Sequence, residues 1–365
     1  MKKISSVIIV CIFFGLLLLP QIAEKFFDLN NSTAAEKRNL TRLPKEFKYR
    51  KIALQLEEYY NDRIPFRPVL LNCCRKLQRG LFPFTLGNTL IGKKDFYFFR
   101  KPGWEDPVDQ FRGKEKLRQH DLLEAQKFLK KLDAFLKKRN TSFLLVIAPN
   151  KVQIYPEYLP ERRKYSQSDL MPDLQLVNFM QKNSPEIPIL PLRKAVYDAK
   201  KYYGDDLFYR LDTHWGPVGG YVGAREIIRH FAPGRKLPAP GEFTVKNSGK
   251  NEPVDLINQS LNVAKDYIKY PEIKPVVPEF TGKFQRVAGD CLYTFNPNAP
   301  DKRRVMMHRE SFAIAMLPYI SEHFQEVYYI WSHKVSRKRI EKINPDIFII
   351  EYVARIIGRM QTKLR

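Results

Sequence analysis

Asp212 and His214 stand two residues apart in the stretch LDTHWGPVGG, residues 211–220, followed at once by Trp215 and a Gly/Pro turn. Residues two apart in extended chain face the same way, so this spacing sets a carboxylate beside an imidazole. Three uses compete for such a pair. A carboxylate that fixes the tautomer of a histidine turns it into a general base. The same two side chains can ligate a metal, and an aspartate ahead of a helix can simply cap it. With only six histidines in the chain (His120, His214, His230, His308, His323 and His333), few partners are available to any of these uses.

A general base needs a group to deprotonate. The stretch HRESF, residues 308–312, puts Ser311 between the apolar run RRVMMH and the helical pattern FAIAMLPYISEHF. A strand-to-helix junction exposes a hydroxyl and points helix N-terminal N–H groups at an oxyanion formed beside it. Serine is a poor nucleophile until a base takes its proton, and it is also a favoured N-cap. The metal reading needs Asp212, His214 and the distant His308, with no second closely spaced ligand pair to support them, so no metal is expected. IGKKD lacks the glycine spacing of a phosphate loop, and no G-x-G-x-x-G follows a strand, so no nucleotide cofactor is expected either.

Both motifs must be carried by regular elements. TSFLLVIAPN, from 141, is a continuous apolar run ending in a polar loop, the mark of a parallel strand covered on both faces. A helix is predicted over 113–139, with apolar positions at Leu117, Leu122, Leu123, Ala125, Phe128, Leu129, Leu132 and Phe135. Helices over 168–182 and 193–201 flank the short strand EIPILPL, and DLFYR reads as a strand running into the Asp-x-His motif. RRVMMH, EVYYIW and DIFIIEYV read as strands, separated by the helix after Ser311 and a basic helix around SRKRIEKI. NTLI and FYFF read as a hairpin joined at GKKD. This alternation predicts an α/β fold with a doubly wound, mostly parallel sheet. Residues 235–300, rich in Pro, Lys and Asn, read as an insertion or long loop region. Ligands of open α/β sheets gather at strand C-terminal ends, where APNKVQIYPEYLP, LDTHWGP and HRESF all fall.

At 365 residues the chain is long enough for a sizeable core, and its net charge of +24 points to an anionic partner or to a solvated basic surface. Residues 1–27, MKKISSVIIVCIFFGLLLLPQIAEKFF, join a basic head to an apolar run and read as a signal-anchor or transmembrane segment, with a cleaved signal peptide as the alternative. The predicted placement is therefore a single-pass cell-membrane protein whose body lies on the periplasmic or extracellular side, away from nucleic acid. Residues 28–82 are expected to form a stalk and a helical lead-in broken by NDRIPFRP, and residues 83–358 the main domain. Cys11, Cys73, Cys74 and Cys291 show no zinc or redox spacing, and a closed disulfide framework is not expected.

Several blocks then agree, in order, with one family. DTHWGPVGGYVGAREI resembles the D-x-H-W signature of the alginate O-acetyltransferase-type (AlgX/AlgJ-like, DHHW) proteins with an SGNH-hydrolase-like domain. NDRIPFRPVLLN, LIGKKDFYFF, VIAPNKVQIYPEYLP, MMHRESFAIAMLPYISEHF and INPDIFIIEYVAR are similar to further blocks of that family, from about Glu36 to Arg355. The resemblance implies an SGNH-hydrolase-like fold with permuted order of the triad. Ser311 is then the nucleophile, His214 the general base and Asp212 its orienting acid. It also makes Lys151 and Tyr155 candidates for substrate or oxyanion contacts, against a surface lysine and a packing tyrosine. Trp215 is either a platform for a sugar ring or packing beneath the histidine, and Arg309 joins the substrate-binding candidates. The implied activity is O-acetylation of a cell-surface or secreted polysaccharide, acidic if the basic surface meets it, with a membrane-embedded multi-span acyltransferase as donor. The same triad serves an esterase, and a non-catalytic glycan-binding or assembly protein is the further alternative. Glu310, Gly216 and Gly220 depart from the family pattern, which usually has Asp, Asn or Thr, and Ala at those places.

Overall fold

The computed structural model describes residues 85–360 apart from 87, 102, 104, 161–165, 257–268 and 333. Expected features at 1–27 and 28–82, including the anchor and the helical lead-in, lie outside the described residues. Among the described residues no helix is long and apolar enough to cross a membrane. The chain divides into two compact units. One comprises Asn88–Leu256 with Ile268–Arg365, and the other Met1–Gly87 with Ile257–Tyr267, of which only the strand Thr85–Leu86 is described. The first unit carries the chemistry discussed below.

It opens with the expected hairpin, β1 (Thr89–Ile91) antiparallel to β2 (Tyr97–Phe99), turned by Lys94 and Asp95 at positive φ. Helix α1 (Pro107–Phe111) follows, its first turn capped by the Asp106 carboxylate. Helix α2 (Gln119–Lys137) begins later than its apolar pattern predicts. Gly113 at φ +70° breaks the chain, and the Arg118 backbone N–H donates to Asp121 at 3.0 Å to start the helix there. Leu122, Ala125, Leu129, Leu132 and Leu136 form its buried stripe, at the spacing that brings side chains onto one helical face.

The central sheet takes its order from five parallel strands. β3 (Ser142–Ala148), β4 (Ile189–Pro191), β9 (Asp301–His308), β10 (Phe324–Ile330) and β11 (Ile347–Val353) lie in the order β4-β3-β11-β9-β10. Every residue of β11 is buried, as a strand covered on both faces must be. Full burial of each Ile, Val or Phe there contributes roughly 1.5–3 kcal/mol, so these strands carry much of the core. Helices α3 (Lys151–Ile154), α4 (Pro172–Asn183), α5 (Arg193–Tyr203), α6 (Pro217–Phe231), α7 (Leu317–His323) and α8 (Arg337–Ile343) fill the intervals.

Two expectations change. DLFYR is not a strand of the sheet: Gly204–Leu207 forms a 3-10 turn, and Phe208 makes a single bridge to Trp215. The Tyr209 N–H is used within its own loop by the His214 carbonyl and the Arg210 N–H by the Glu252 carboxylate, so neither joins the central sheet. The helix after Ser311 is broken into a 3-10 turn, Ser311–Ala315, and α7. Pro318 has no N–H for the Ile314 carbonyl and its ring crowds that position, which suits a first helical turn but not a helix interior. Within 235–300, read as an insertion or long loop region, the chain forms four strands among the described residues. β5 (Val245–Asn251) and β6 (Pro271–Pro275) make a separate antiparallel ribbon. β7 (Gln285–Ala288) and β8 (Cys291–Phe295) add two antiparallel strands to the sheet beyond β10. Cys291 is a free, buried thiol.

Candidate active site

Because β3, β9 and β11 run parallel, their C-terminal ends deliver Lys151, Ser311 and Arg355 to one edge of the sheet. The Asp-x-His motif reaches that edge on a loop closed by the Phe208–Trp215 bridge and by a 2.9 Å bond from Gly216 N–H to the Leu207 carbonyl. Within the loop, Asp212 Oδ1 accepts from the His214 backbone N–H at 2.8 Å, the local turn that aspartate favours two residues ahead of a donor. The same oxygen lies 2.6 Å from His214 Nδ1. His214 Nε2 lies 2.7 Å from Ser311 Oγ. With the proton on Nδ1, facing the carboxylate, Nε2 is the acceptor for the Ser311 hydroxyl. The three side chains thus form one continuous relay, joining positions 97 residues apart in the chain.

Asp212 is buried, and burial by itself would raise its pKa. The His214 ring and backbone N–H and the charge of Lys151 outweigh that and hold it below its ordinary value. Its second oxygen accepts from the Asp255 N–H at 3.2 Å. An ionised, hydrogen-bonded carboxylate in this position fixes the histidine tautomer and stabilises an imidazolium formed when the ring takes a proton.

The relay opens into a cavity of about 730 Å³. Ser311, His214, Phe312 and Ile314 line it together with Ser248, Lys250, Glu272 and Lys274 of the β5–β6 ribbon. Tyr209, also lining it, donates to Glu272 at 2.6 Å, and Lys274 pairs with Glu279 at 2.7 Å. The cavity is therefore apolar around the serine and charged on the ribbon. No sequence signal pointed to these ribbon residues. They alternate in a Lys/Asn-rich stretch without a motif, and only long-range pairing brings them to the site.

Of the other candidates, Trp215 lines the cavity, and Lys151, Tyr155 and Arg309 do not. Lys151 is buried, and its ammonium donates to the carbonyls of Tyr97 at 2.8 Å, Arg210 at 3.1 Å and Asp212. All three of its hydrogens are used, so it holds the Asp212 loop and does not reach the cavity. Burial brings its pKa down to about 7, opposed by the Asp212 and Glu252 charges. Tyr155 is wholly buried against Phe96 and Phe208, donating to the Gly204 carbonyl at 2.7 Å. Trp215 lines the cavity and is also packed against Phe208 and Phe312. The ring is 1% exposed and its Nε1 donates to the Phe312 carbonyl at 2.7 Å. Arg309 is buried and stacks on Trp331, 4.6 Å from the ring centre, outside the cavity lining. His308 lies on β9 with Nδ1 at 2.8 Å from the Ser332 carbonyl. Among the described residues no cluster of three or more His, Cys, Asp or Glu could hold a metal.

One of the departures from the family pattern has a local reason. A Cβ on Gly220 would stand 2.4 Å from the Ala315 carbonyl oxygen, so α6 approaches the Ser311–Ala315 turn only because no side chain intervenes. Gly216 is the N-cap of α6 ahead of Pro217.

The chain was compared with known proteins. A probable alginate O-acetylase AlgJ from Pseudomonas syringae pv. tomato is 26% identical over 242 residues, covering 66% of this chain and 56% of that protein. The probable alginate O-acetylase AlgJ of Azotobacter vinelandii is 24% identical over 197 residues, covering 53% of this chain and 47% of its own. This chain therefore spans about half the length of the curated relatives it matches. Among solved structures, Bacillus cereus PatB1 superposes with a TM-score of 0.53 at 17% identity, covering 76% of this chain and 99% of that one, which supports the SGNH-hydrolase-like α/β fold. Residues 101–285, which include Asp212 and His214, match the family described as SGNH hydrolase-like domain, acetyltransferase AlgX. With about half of its length inside that match, the chain belongs to the AlgX family of SGNH hydrolase-like acetyltransferase domains.

Proposed function

We propose that this protein is an exported, membrane-anchored O-acetyltransferase that esterifies hydroxyls of a cell-surface or secreted polysaccharide through an acyl-Ser311 intermediate. The observation that carries the reading is the relay from Asp212 through His214 to Ser311, opening on a cavity, in a chain of an acetyltransferase family. In the first half-reaction His214 Nε2 takes the Ser311 proton as Oγ attacks the acyl carbonyl of a donor. The imidazolium then protonates the leaving group, and the acyl group remains on Ser311 as an ester. In the second half-reaction His214 takes the proton of a sugar hydroxyl, the sugar oxygen attacks the ester carbonyl, and Ser311 leaves with the proton returned from His214. Asp212 stays ionised throughout and supports the imidazolium in both halves.

Residues 1–27 supply the anchor in this reading and hold the body on the outer side of the membrane. Acetyl thioesters are not available there, so the donor is an acyl group handed over by a membrane-embedded multi-span acyltransferase. The names of the AlgJ relatives support a polysaccharide acceptor, and the net charge of +24 suits an acidic one. The test uses the full-length chain in detergent, a radiolabelled acetyl ester of p-nitrophenol as donor and an oligosaccharide mixture as acceptor. Label should pass to sugar in the wild type and to nothing in Ser311→Ala. Persistent transfer by Ser311→Ala would remove the serine from the mechanism. Release of free acetate alone, with acceptor present, would make the enzyme an esterase.

A further inference from the structure

The strand that delivers the nucleophile leaves the sheet just before it arrives. The last residue of β9 paired with β11 is His308, opposite Ile350. Beyond it the chain rises toward Ser311 through Arg309 and Glu310, and two backbone N–H groups need new acceptors. On the β10 side the ladder continues by one bond, from Arg309 N–H to the Ile330 carbonyl at 2.9 Å. On the β11 side there is no such carbonyl. There the Glu310 N–H donates to Oε2 of Glu351 at 2.7 Å, a side chain from the residue after Ile350.

Glu351 is 1% exposed, which is unusual for a carboxyl that pairs with no lysine or arginine at salt-bridge distance among the described residues. A glutamate so deeply buried is costly unless a specific bond requires it. Burial pushes its pKa up to about 8, with the Arg309 and Arg355 charges opposing. Its neighbours are those of the nucleophile turn itself. Arg309 and Glu310 precede the serine, and the Arg355 guanidinium lies over the Phe312 ring at 5.2 Å. Glu310 is held in extended conformation, φ −100° and ψ −175°, and acts as the N-cap residue of the turn that begins at Ser311.

We propose that Glu351 is the positioning residue of the nucleophile turn: its carboxyl oxygen replaces the missing ladder acceptor of β11 at the Glu310 N–H and so fixes Ser311 Oγ within reach of His214 Nε2. It touches neither substrate nor the reacting atoms. Its effect runs through one backbone N–H to the adjacent residue. A carboxyl and an amide offer the same acceptor oxygen at the same reach, whereas Asp withdraws it by one methylene and Ala removes it.

The inference rests on Ser311 being the nucleophile, and the test separates the two. The full-length chain in detergent is assayed for p-nitrophenyl acetate turnover and for the rate of covalent modification by methanesulfonyl fluoride. Wild type, Ser311→Ala, Glu351→Gln, Glu351→Asp and Glu351→Ala are compared, with thermal melting of each. Glu351→Gln should keep kcat and modification rate within about threefold of wild type, while Glu351→Asp and Glu351→Ala lose about 100-fold in both with KM nearly unchanged, as a displaced reacting group does. If Glu351→Ala does not fold, the contrast of Asp with Gln carries the test. Equal rates in all folded Glu351 variants, or a Gln variant as slow as Asp, would overturn the positioning role. Full activity in Ser311→Ala would instead overturn the serine mechanism, whatever the Glu351 variants do.

Discussion

The indole Nε1 of Trp215 donates to the carbonyl oxygen of Phe312 at 2.7 Å. That bond ties the residue after the base to the residue after the serine, so the two loops that make the relay are fastened directly to each other. Phe312 also lies against both the Trp215 and His214 rings, at 5.5 and 5.0 Å between centroids. Trp215→Phe keeps most of the packing and removes one donor from the Phe312 carbonyl, which costs about 0.5–1.5 kcal/mol. Denaturant unfolding of the full chain should show that loss, and acetyl transfer should fall with it. An unchanged midpoint together with weakened acceptor binding would return Trp215 to the role of sugar platform.

Asp212→Asn keeps an acceptor for the His214 backbone N–H but presents the ring with a group that no longer enforces the Nδ1 proton. The drop expected for that exchange in a serine–histidine–aspartate relay is about 10⁴-fold in kcat. Acyl-enzyme formation measured by mass shift on the intact chain checks it, since the acylation step should slow while folding is retained.

Lys151→Met removes the ammonium that three carbonyls share, including that of Asp212. Stability should fall by at least ~2 kcal/mol because buried acceptors lose their donor. The KM for acceptor should stay the same, because the side chain does not reach the cavity. A raised KM with normal stability would make Lys151 a substrate contact after all.

Gly220→Ala tests the close approach of α6 to the serine turn. The added methyl meets the Ala315 carbonyl at 2.4 Å, and overpacking of that kind costs about 1–3 kcal/mol. Since the obstacle is backbone of the serine's own turn, activity should fall more than the lost stability alone explains. Activity at a temperature well below the melting transition is the measurement.

His323 supplies a pH dependence. It is buried with Nε2 unpartnered, and burial, with Arg235 and Arg303 nearby and Asp301 opposing, brings its pKa from 6.5 to about 4. The folded state therefore binds fewer protons than the unfolded chain between those values, so stability rises with pH across that window. The contribution is whole above 6.5 and is lost as pH falls toward 4, by up to ~3 kcal/mol. His323→Gln should flatten this part of the melting-temperature profile, and an unaltered profile would show that other groups set the acid limb.

Most of the sheet was legible because its strands are short, continuous apolar runs, and Ile347–Val353 and Ser142–Ala148 lie where such runs predict. Asp212, His214 and Ser311 were visible as compact motifs open to several uses, and it was the resemblance to one family that joined them as a relay. What failed has local causes in some places and distant partners in others. DLFYR has strand-like residues, but its Tyr209 N–H turns back to the His214 carbonyl and its Arg210 N–H goes to the Glu252 carboxylate. Pro318 divides a helix that looked continuous. Lys151 and Tyr155 sit in a block that resembles the family, yet their roles follow from which carbonyls surround them, and no local pattern encodes that. The ribbon residues that line the cavity were hidden in a stretch with no apolar periodicity at all.

That ribbon has a consequence for how such a protein can diversify. Ser311 is held by a turn at the end of β9 and Asp212 and His214 by a loop beside it, while among the described residues β5 and β6 form a two-stranded ribbon of their own and contribute Ser248, Lys250, Glu272 and Lys274 to the cavity lining. The proton relay and the charged lining thus lie on separate stretches of polypeptide. Glu272 is the exception, because it accepts from Tyr209 of the relay's own loop. Lys250 and Lys274 are therefore the ribbon positions where the charge of the cavity can change while the loop that holds Asp212 keeps its bonds.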